Sequence, residues 1–147
     1  ELNLIFPGRN YGWPTITYGK NYDVAIITNE RARDGMEQPL KYWVPSIAPS
    51  GLAVYTGTQF PAEYRGDAFV AEHGSWNRAN RSGGEVIRIP LEKGKASGVY
   101  QDFLTGFVTL EGEVWGRPVG VAVAKDGSIL VTDEGSKSIW RVSYPGR

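Results

Sequence analysis

The chain contains no cysteine, which excludes disulfides and thiolate-held metals without selecting a compartment. Neither sign of charge prevails, with 16 Lys and Arg against 16 Asp and Glu. That balance argues against nucleic acid as the main partner, because a nucleic-acid surface needs a basic face. No apolar run approaches the ~20 residues that span a bilayer. There is no phosphate-cradling glycine motif and no Ser–His–Asp order of the hydrolase kind. The acidic residues Asp23, Glu30, Asp34 and Glu37 are not spaced like a calcium loop, so no metal ligand is assigned. Histidine occurs once, as His73.

What is present points to strands. The 147 residues include 19 Gly, 9 Pro, 5 Trp and 8 Tyr, and turn formers with aromatics favour an all-β chain of many short strands. The length suits one domain or part of a larger one. The opening "ELNLIF" reads as the inside of a strand and not as a signal peptide. It predicts a chain that is part of a longer protein.

Two segments share one plan. Pro49-x-Gly51-Leu52-Ala53-Val54 matches Pro118-x-Gly120-Val121-Ala122-Val123. Ala68-Phe69-Val70 matches Ile129-Leu130-Val131, and Val86-Ile87-Arg88-Ile89 matches Ile139-Trp140-Arg141-Val142. Each copy reads as three short strands, with Lys125-Asp126-Gly127 as a tight turn in the second. "GVYQDFLTG" offers a fourth strand to the first copy. A meander repeated every several tens of residues predicts propeller blades, with an open sandwich as the alternative. The expected division is residues 1–48 as the end of one blade with connecting loops, 49–110 as one blade and 111–147 as the last blade.

Connections in a meander alternate ends. "YWVPSIAPS" before Gly51, "HGSWNRANRSGG" after Glu72 and "VWGRPV" before Gly120 are therefore expected on one rim. They carry Trp43, Ser46, His73, Trp76, Arg78, Arg81, Trp115 and Arg117. In the second copy the loop matching His73–Gly84 is only "EGSK", so the first copy holds an insertion on the chemically richer rim.

"LNLIFPGRNYGWP", "YWVPSIAPSGLAVY" and "GRPVGVAVAKDGSILVTDEGSKSIWRVSY" together resemble the C-terminal part of the sugar dehydrogenases that depend on pyrroloquinoline quinone (PQQ). These are the glucose, aldose-sugar and L-sorbosone dehydrogenases, and "EHGSWNR" is most similar to the sorbosone branch. The resemblance covers nearly the whole chain. It implies about the last half of a six-bladed β-propeller. It further implies PQQ and calcium as cofactors, a sugar substrate, a periplasmic or secreted location, and hydride transfer from a sugar hydroxyl or hemiacetal to the quinone. The resemblance places the histidine base and the calcium ligands upstream of Glu1. No catalytic residue is therefore assigned here, and whether the chain alone is an enzyme stays open.

Four residues are candidate cofactor contacts under that resemblance. Arg117 aligns with a family arginine, and a guanidinium fork can grip a carboxylate with two parallel hydrogen bonds. Many relatives carry a second arginine two positions later, where this chain has Val119. The plain alternative is an ion pair of Arg117 with Glu111 or Glu113. Ser46 lies where the family contributes a hydroxyl, or simply caps a turn. His73 or Arg78 stands where relatives use a lysine or arginine. His73 is otherwise a hydrogen-bonded group at a strand end, and Arg81 is a weaker candidate. Trp43 could wall a planar ring or belong to the core. "NYGWP" reads as structural, with Tyr11 and Trp13 packing. The partner implied is an N-terminal propeller half or a second copy. In the second case the chain would be a non-catalytic binding or assembly module closing a ring by dimerisation.

Overall fold

A computed structural model describes residues 1–12, 16–17, 21–22, 35–37, 39, 47–76, 78–96 and 98–146. The chain divides into two compact units, Glu1–Val44 and Pro45–Arg147. In the first, β1 (Ile16–Thr17) and β2 (Asn21–Tyr22) pair antiparallel. Asn10 bridges Met36 in parallel, and the Glu37 N–H donates to the Asn10 carbonyl at 2.9 Å. The Tyr11 hydroxyl donates to the Leu4 carbonyl at 3.0 Å and accepts the Phe6 N–H at 2.6 Å. The tyrosine of "NYGWP" thus acts structurally, fastening the first residues into a turn. Trp13 and Pro14 lie outside the described residues.

The second unit contains two antiparallel meanders. The first sheet runs in the order β3 (Pro49–Val54), β4 (Ala68–Glu72), β5 (Glu85–Ile89) and β8 (Gln101–Leu104). A two-residue ladder, β6 (Leu91–Glu92) with β7 (Lys95–Ala96), sits between β5 and β8. The second sheet is β9 (Pro118–Val123), β10 (Ile129–Asp133) and β11 (Ser138–Val142). All three strands of each repeat form where the repeat places them, and "GVYQDFLTG" supplies β8. Consecutive meanders of this kind are the plan of propeller blades.

The stretch "AFVAE" forms β4, and all five of its residues are buried. Its counterpart "GVAVA" in β9 is mostly half-buried. In packing, β9 meets β3 and β4 of the first sheet. The core between the sheets is aromatic and β-branched, with Tyr55, Phe60, Phe69, Val86, Ile129 and Val131 all buried. Phe69 meets Phe103 edge-on at 4.7 Å between ring centres, and Tyr55 meets Phe60 likewise at 5.5 Å. Such pairs add stabilisation beyond the area they bury. Within the first sheet, buried Arg88 is fully paired. It donates to Asp67 at 2.7 Å, to Gln101 at 3.0 Å and to the Glu63 carbonyl at 2.7 Å, and it lies 3.9 Å over the Tyr64 ring. A buried charge is tolerated when it is paired and each of its nitrogens is hydrogen-bonded in this way.

Among the contacts between the sheets, two are close and specific. On the rim opposite the long loop, the Tyr55 hydroxyl donates to the Gly127 carbonyl at 2.8 Å and accepts the N–H groups of Gln59 and Phe60. At mid-sheet, Gly51 abuts β9 so closely that a β-carbon there would lie 2.4 Å from the Val119 carbonyl and 2.6 Å from the Gly120 α-carbon. Those neighbours are backbone and cannot swing aside. Replacing Gly51 by Ala is therefore expected to cost about 3 kcal/mol, the upper part of the usual range for overpacking. Urea unfolding measures it, and an unchanged midpoint would show that the sheets do not meet there.

Candidate functional site

The described residues of the three loops expected on one rim do converge. The His73 N–H donates to the Ala48 carbonyl at 3.1 Å and the Gly74 N–H to the Ile47 carbonyl at 2.8 Å. These bonds tie the loop entering β3 to the loop leaving β4. The second sheet joins through Glu134, whose carboxylate lies 3.4 Å from His73 Nε2. Between these loops lies a shallow cleft too narrow to enclose a water molecule. His73, Gly74, Ser75 and the stretch 81–84 form one side, and Val108, Val114 and Arg117 the other. Pockets that enclose a whole drug-sized ligand run to ~300–1,000 Å³, and this cleft by itself encloses no such ligand.

The long loop is closed at its neck. The Gly84 N–H donates to the Glu72 carbonyl at 2.9 Å, and the Ser75 N–H to the Ser82 carbonyl at 2.8 Å. The Ser82 N–H returns a bond to the Ser75 hydroxyl at 3.0 Å. Gly74, Gly83 and Gly84 all have positive φ, which glycine alone adopts freely. A β-carbon on Gly74 would also press Gly84 at 3.0 Å. Arg81 secures the interior: its guanidinium donates to the Ser75 carbonyl at 3.2 Å and the Trp76 carbonyl at 2.9 Å. Its charge therefore serves the loop first, although the residue lines the cleft.

Arg117 is held by its backbone. Its N–H donates to Asp133 Oδ1 at 2.6 Å and its carbonyl accepts the Glu134 N–H at 3.0 Å. Asp133 is 3% exposed. It also accepts the Ser136 N–H at 3.2 Å, the Ser136 hydroxyl at 2.5 Å and the Trp140 indole N–H at 3.0 Å. Burial alone pushes its carboxyl up. The bonds from Ser136, Trp140 and the Arg117 backbone outweigh that and hold the pKa at about 2. With its backbone fixed, Arg117 borders the cleft, and among the described residues its guanidinium pairs with neither Glu111 nor Glu113.

Of the four candidate contacts, the structure brings Arg117 and His73 to the same cleft. Arg78 stands exposed on the outer part of the loop, apart from the lining. Ser46 lies outside the described residues, as does Trp43. Sequence reasoning missed Asp133, Glu134 and the paired serines Ser75 and Ser82. The signal for Asp133 was present: an aspartate followed at the third position by serine, at a strand end, is the pattern of a side chain capping its own turn. The serine pair carries no local signal, because its partners are seven residues apart across an irregular loop.

The model of the glucose and sorbosone dehydrogenases matches residues 1–141. The chain belongs to that family. An uncharacterised protein of Borreliella burgdorferi is 35% identical over 147 residues, which is 98% of this chain and 38% of that protein. A solved glucose dehydrogenase is 32% identical with a TM-score of 0.67, covering 96% of this chain and 36% of that one. The PQQ-bound form of an aldose sugar dehydrogenase from Streptomyces coelicolor shares the fold at 24% identity, with a TM-score of 0.59 over 96% of this chain and 35% of that one. The two meanders are therefore blades of the family's propeller, and the chain spans little more than a third of the length of these relatives.

The depressed pKa of Asp133 has a sign. A carboxyl held below its unfolded value stabilises the fold above roughly pH 4, and that contribution is lost as pH falls toward about 2. Replacing Asp133 by Asn is expected to remove roughly 2 kcal/mol at neutral pH and to flatten the acid limb between pH 4 and 2. Urea denaturation of both forms at several pH values checks it. An acid limb that keeps its slope in the variant would place the titrating group elsewhere.

Proposed function

We propose that the chain is the C-terminal portion of a PQQ-dependent sugar dehydrogenase and that its rim cleft holds the carboxylate-bearing edge of PQQ. The observation that carries this is Arg117: an arginine bordering the cleft, with its backbone fixed and its guanidinium in no ion pair with a carboxylate among the described residues. A cation kept unpaired on a rigid support is a preorganised anion site. His73 adds a ring nitrogen beside it, already in contact with Glu134, and Ser82 is a further polar residue on the lining. This donor set fits the carboxylates of PQQ. It does not fit calcium, which takes hard oxygen ligands, and among the described residues no carboxylate lines the cleft. The calcium site and the base that takes the substrate proton belong to the upstream part of the protein in this reading.

The quinone, when bound, accepts the hydride of the sugar carbon. The residues of this chain orient it. Arg117 grips a carboxylate, Val108 and Val114 present an apolar surface to the ring edge, and the closed loop 73–84 limits water on one side. The substrate in this reading is a sugar and the setting is periplasmic or secreted, on the family resemblance. No described helix is long and apolar enough to cross a membrane.

Titration of PQQ into the chain, followed by its absorbance, tests the reading. Binding is expected to weaken as salt rises, as for any exposed charge pair. Replacing Arg117 by Ala should lower affinity roughly 10- to 100-fold, the range for a lost hydrogen bond to a charged group. Lysine there should restore only part of it, since it lacks the bidentate fork. Equal binding by the wild type and the alanine variant would remove Arg117 from the site.

A further inference from the structure

The turn between β10 and β11 lies closer to Arg117 than its hydrogen bonds require. Asp133 accepts the Arg117 N–H at 2.6 Å, and the Glu134 N–H donates to the Arg117 carbonyl at 3.0 Å. Next in the turn comes Gly135. A β-carbon there would stand 2.9 Å from the Arg117 nitrogen and 3.0 Å from both the carbonyl carbon and the α-carbon of Gly116. All three atoms are backbone and cannot swing away. The φ of Gly135 is not positive, so the conformation of the turn does not itself call for glycine. The close approach does. Gly116 is confined as well: a β-carbon on it would stand 2.4 Å from Phe107 Cδ1 and 2.7 Å from Asp133 Oδ2. Pro118, whose ring is fully buried, steers Arg117 toward extended backbone.

We infer that Gly135 is a positioning residue for Arg117. It lets the β10–β11 turn press on the Gly116–Arg117 peptide, and so fixes the point from which the guanidinium extends. Closing the turn does not need this contact. Ser136 already bonds Asp133 through its N–H at 3.2 Å and its hydroxyl at 2.5 Å. A long, flexible side chain is different. Its hydrogen bonds to a ligand hold one geometry only when the backbone beneath it has no slack. Arg117 borders the cleft with its guanidinium in no ion pair among the described residues, and its backbone is the part that the turn grips. The inference rests on the reading of Arg117 as a PQQ contact and adds the residue that sets its place.

The test uses the full-length protein as wild type, Gly135→Ala, Arg117→Ala and the double variant. Hydrogen exchange read by mass spectrometry follows the segment 115–119 without cofactor, and PQQ absorbance follows binding. In Gly135→Ala the added methyl pushes the turn and the Arg117 peptide apart. Exchange in that segment should quicken about fivefold or more, and PQQ affinity should fall about three- to tenfold. In the Arg117→Ala background the same substitution should change PQQ affinity less than about twofold, because the side chain it positions is gone. A purely structural glycine would weaken binding equally in both backgrounds. Ser136→Ala removes a bond to Asp133 without adding bulk. It should move both readouts in the same direction, which keeps the test decisive if Gly135→Ala does not fold. Unchanged exchange, or an equal loss of affinity in both backgrounds, overturns the positioning role. Failure of the wild type to bind PQQ strikes the cofactor reading instead, while the exchange measurement still decides whether the turn holds Arg117.

Discussion

The buried carboxylate of Asp133 is the interaction on which the functional rim depends. It lies at the end of β10, where the chain must turn, and it accepts four hydrogen bonds from three residues. One closes the turn through Ser136, one orients Trp140, and one fixes the backbone of Arg117. A single ionised group thereby positions a strand end, an aromatic cluster and the guanidinium of the candidate site. The cost of burying a charge is met only because every lone-pair direction is used. This explains why its pKa falls although burial works in the opposite direction.

The two sheets are joined differently at their two rims. Tyr55 locks the rim away from the cleft with a buried bond to Gly127, while its oxygen also accepts the N–H groups of Gln59 and Phe60 within its own loop. The cleft rim is joined by the partly exposed contact of His73 with Glu134, and such pairs contribute only about 0–1 kcal/mol. The stable rim and the weaker rim are thus at opposite ends of the same sheets. Loops that must admit a ligand belong at the weaker end, and the cleft is there.

The blade architecture was legible in the sequence because it rests on local patterns. Strand order follows from the repeat of Pro-x-Gly and β-branched runs, and the tight Asp126-Gly127 turn from glycine at positive φ. The shared rim followed from alternation in a meander, and Arg117 from its place in the loop before β9. The serine clasp and the fastening role of Arg81 were not legible. They depend on the path of an irregular loop, where no period constrains which side chains meet. Arg81 reads in sequence as a free cation, and only its carbonyl partners show what it holds.

Binary pattern and turn chemistry, both short-range, therefore determined the strands, their order and the end of the sheet that carries the chemistry. The resemblance of three blocks to a dehydrogenase family added the expected cofactor. Tertiary structure decided which of the rim cations is available. Arg81 is taken up by the Ser75 and Trp76 carbonyls, His73 faces Glu134, and Arg117 keeps its guanidinium unpaired among the described residues because Asp133 binds only its backbone. That choice depends on hydrogen bonds between residues far apart in the chain, which no local propensity encodes.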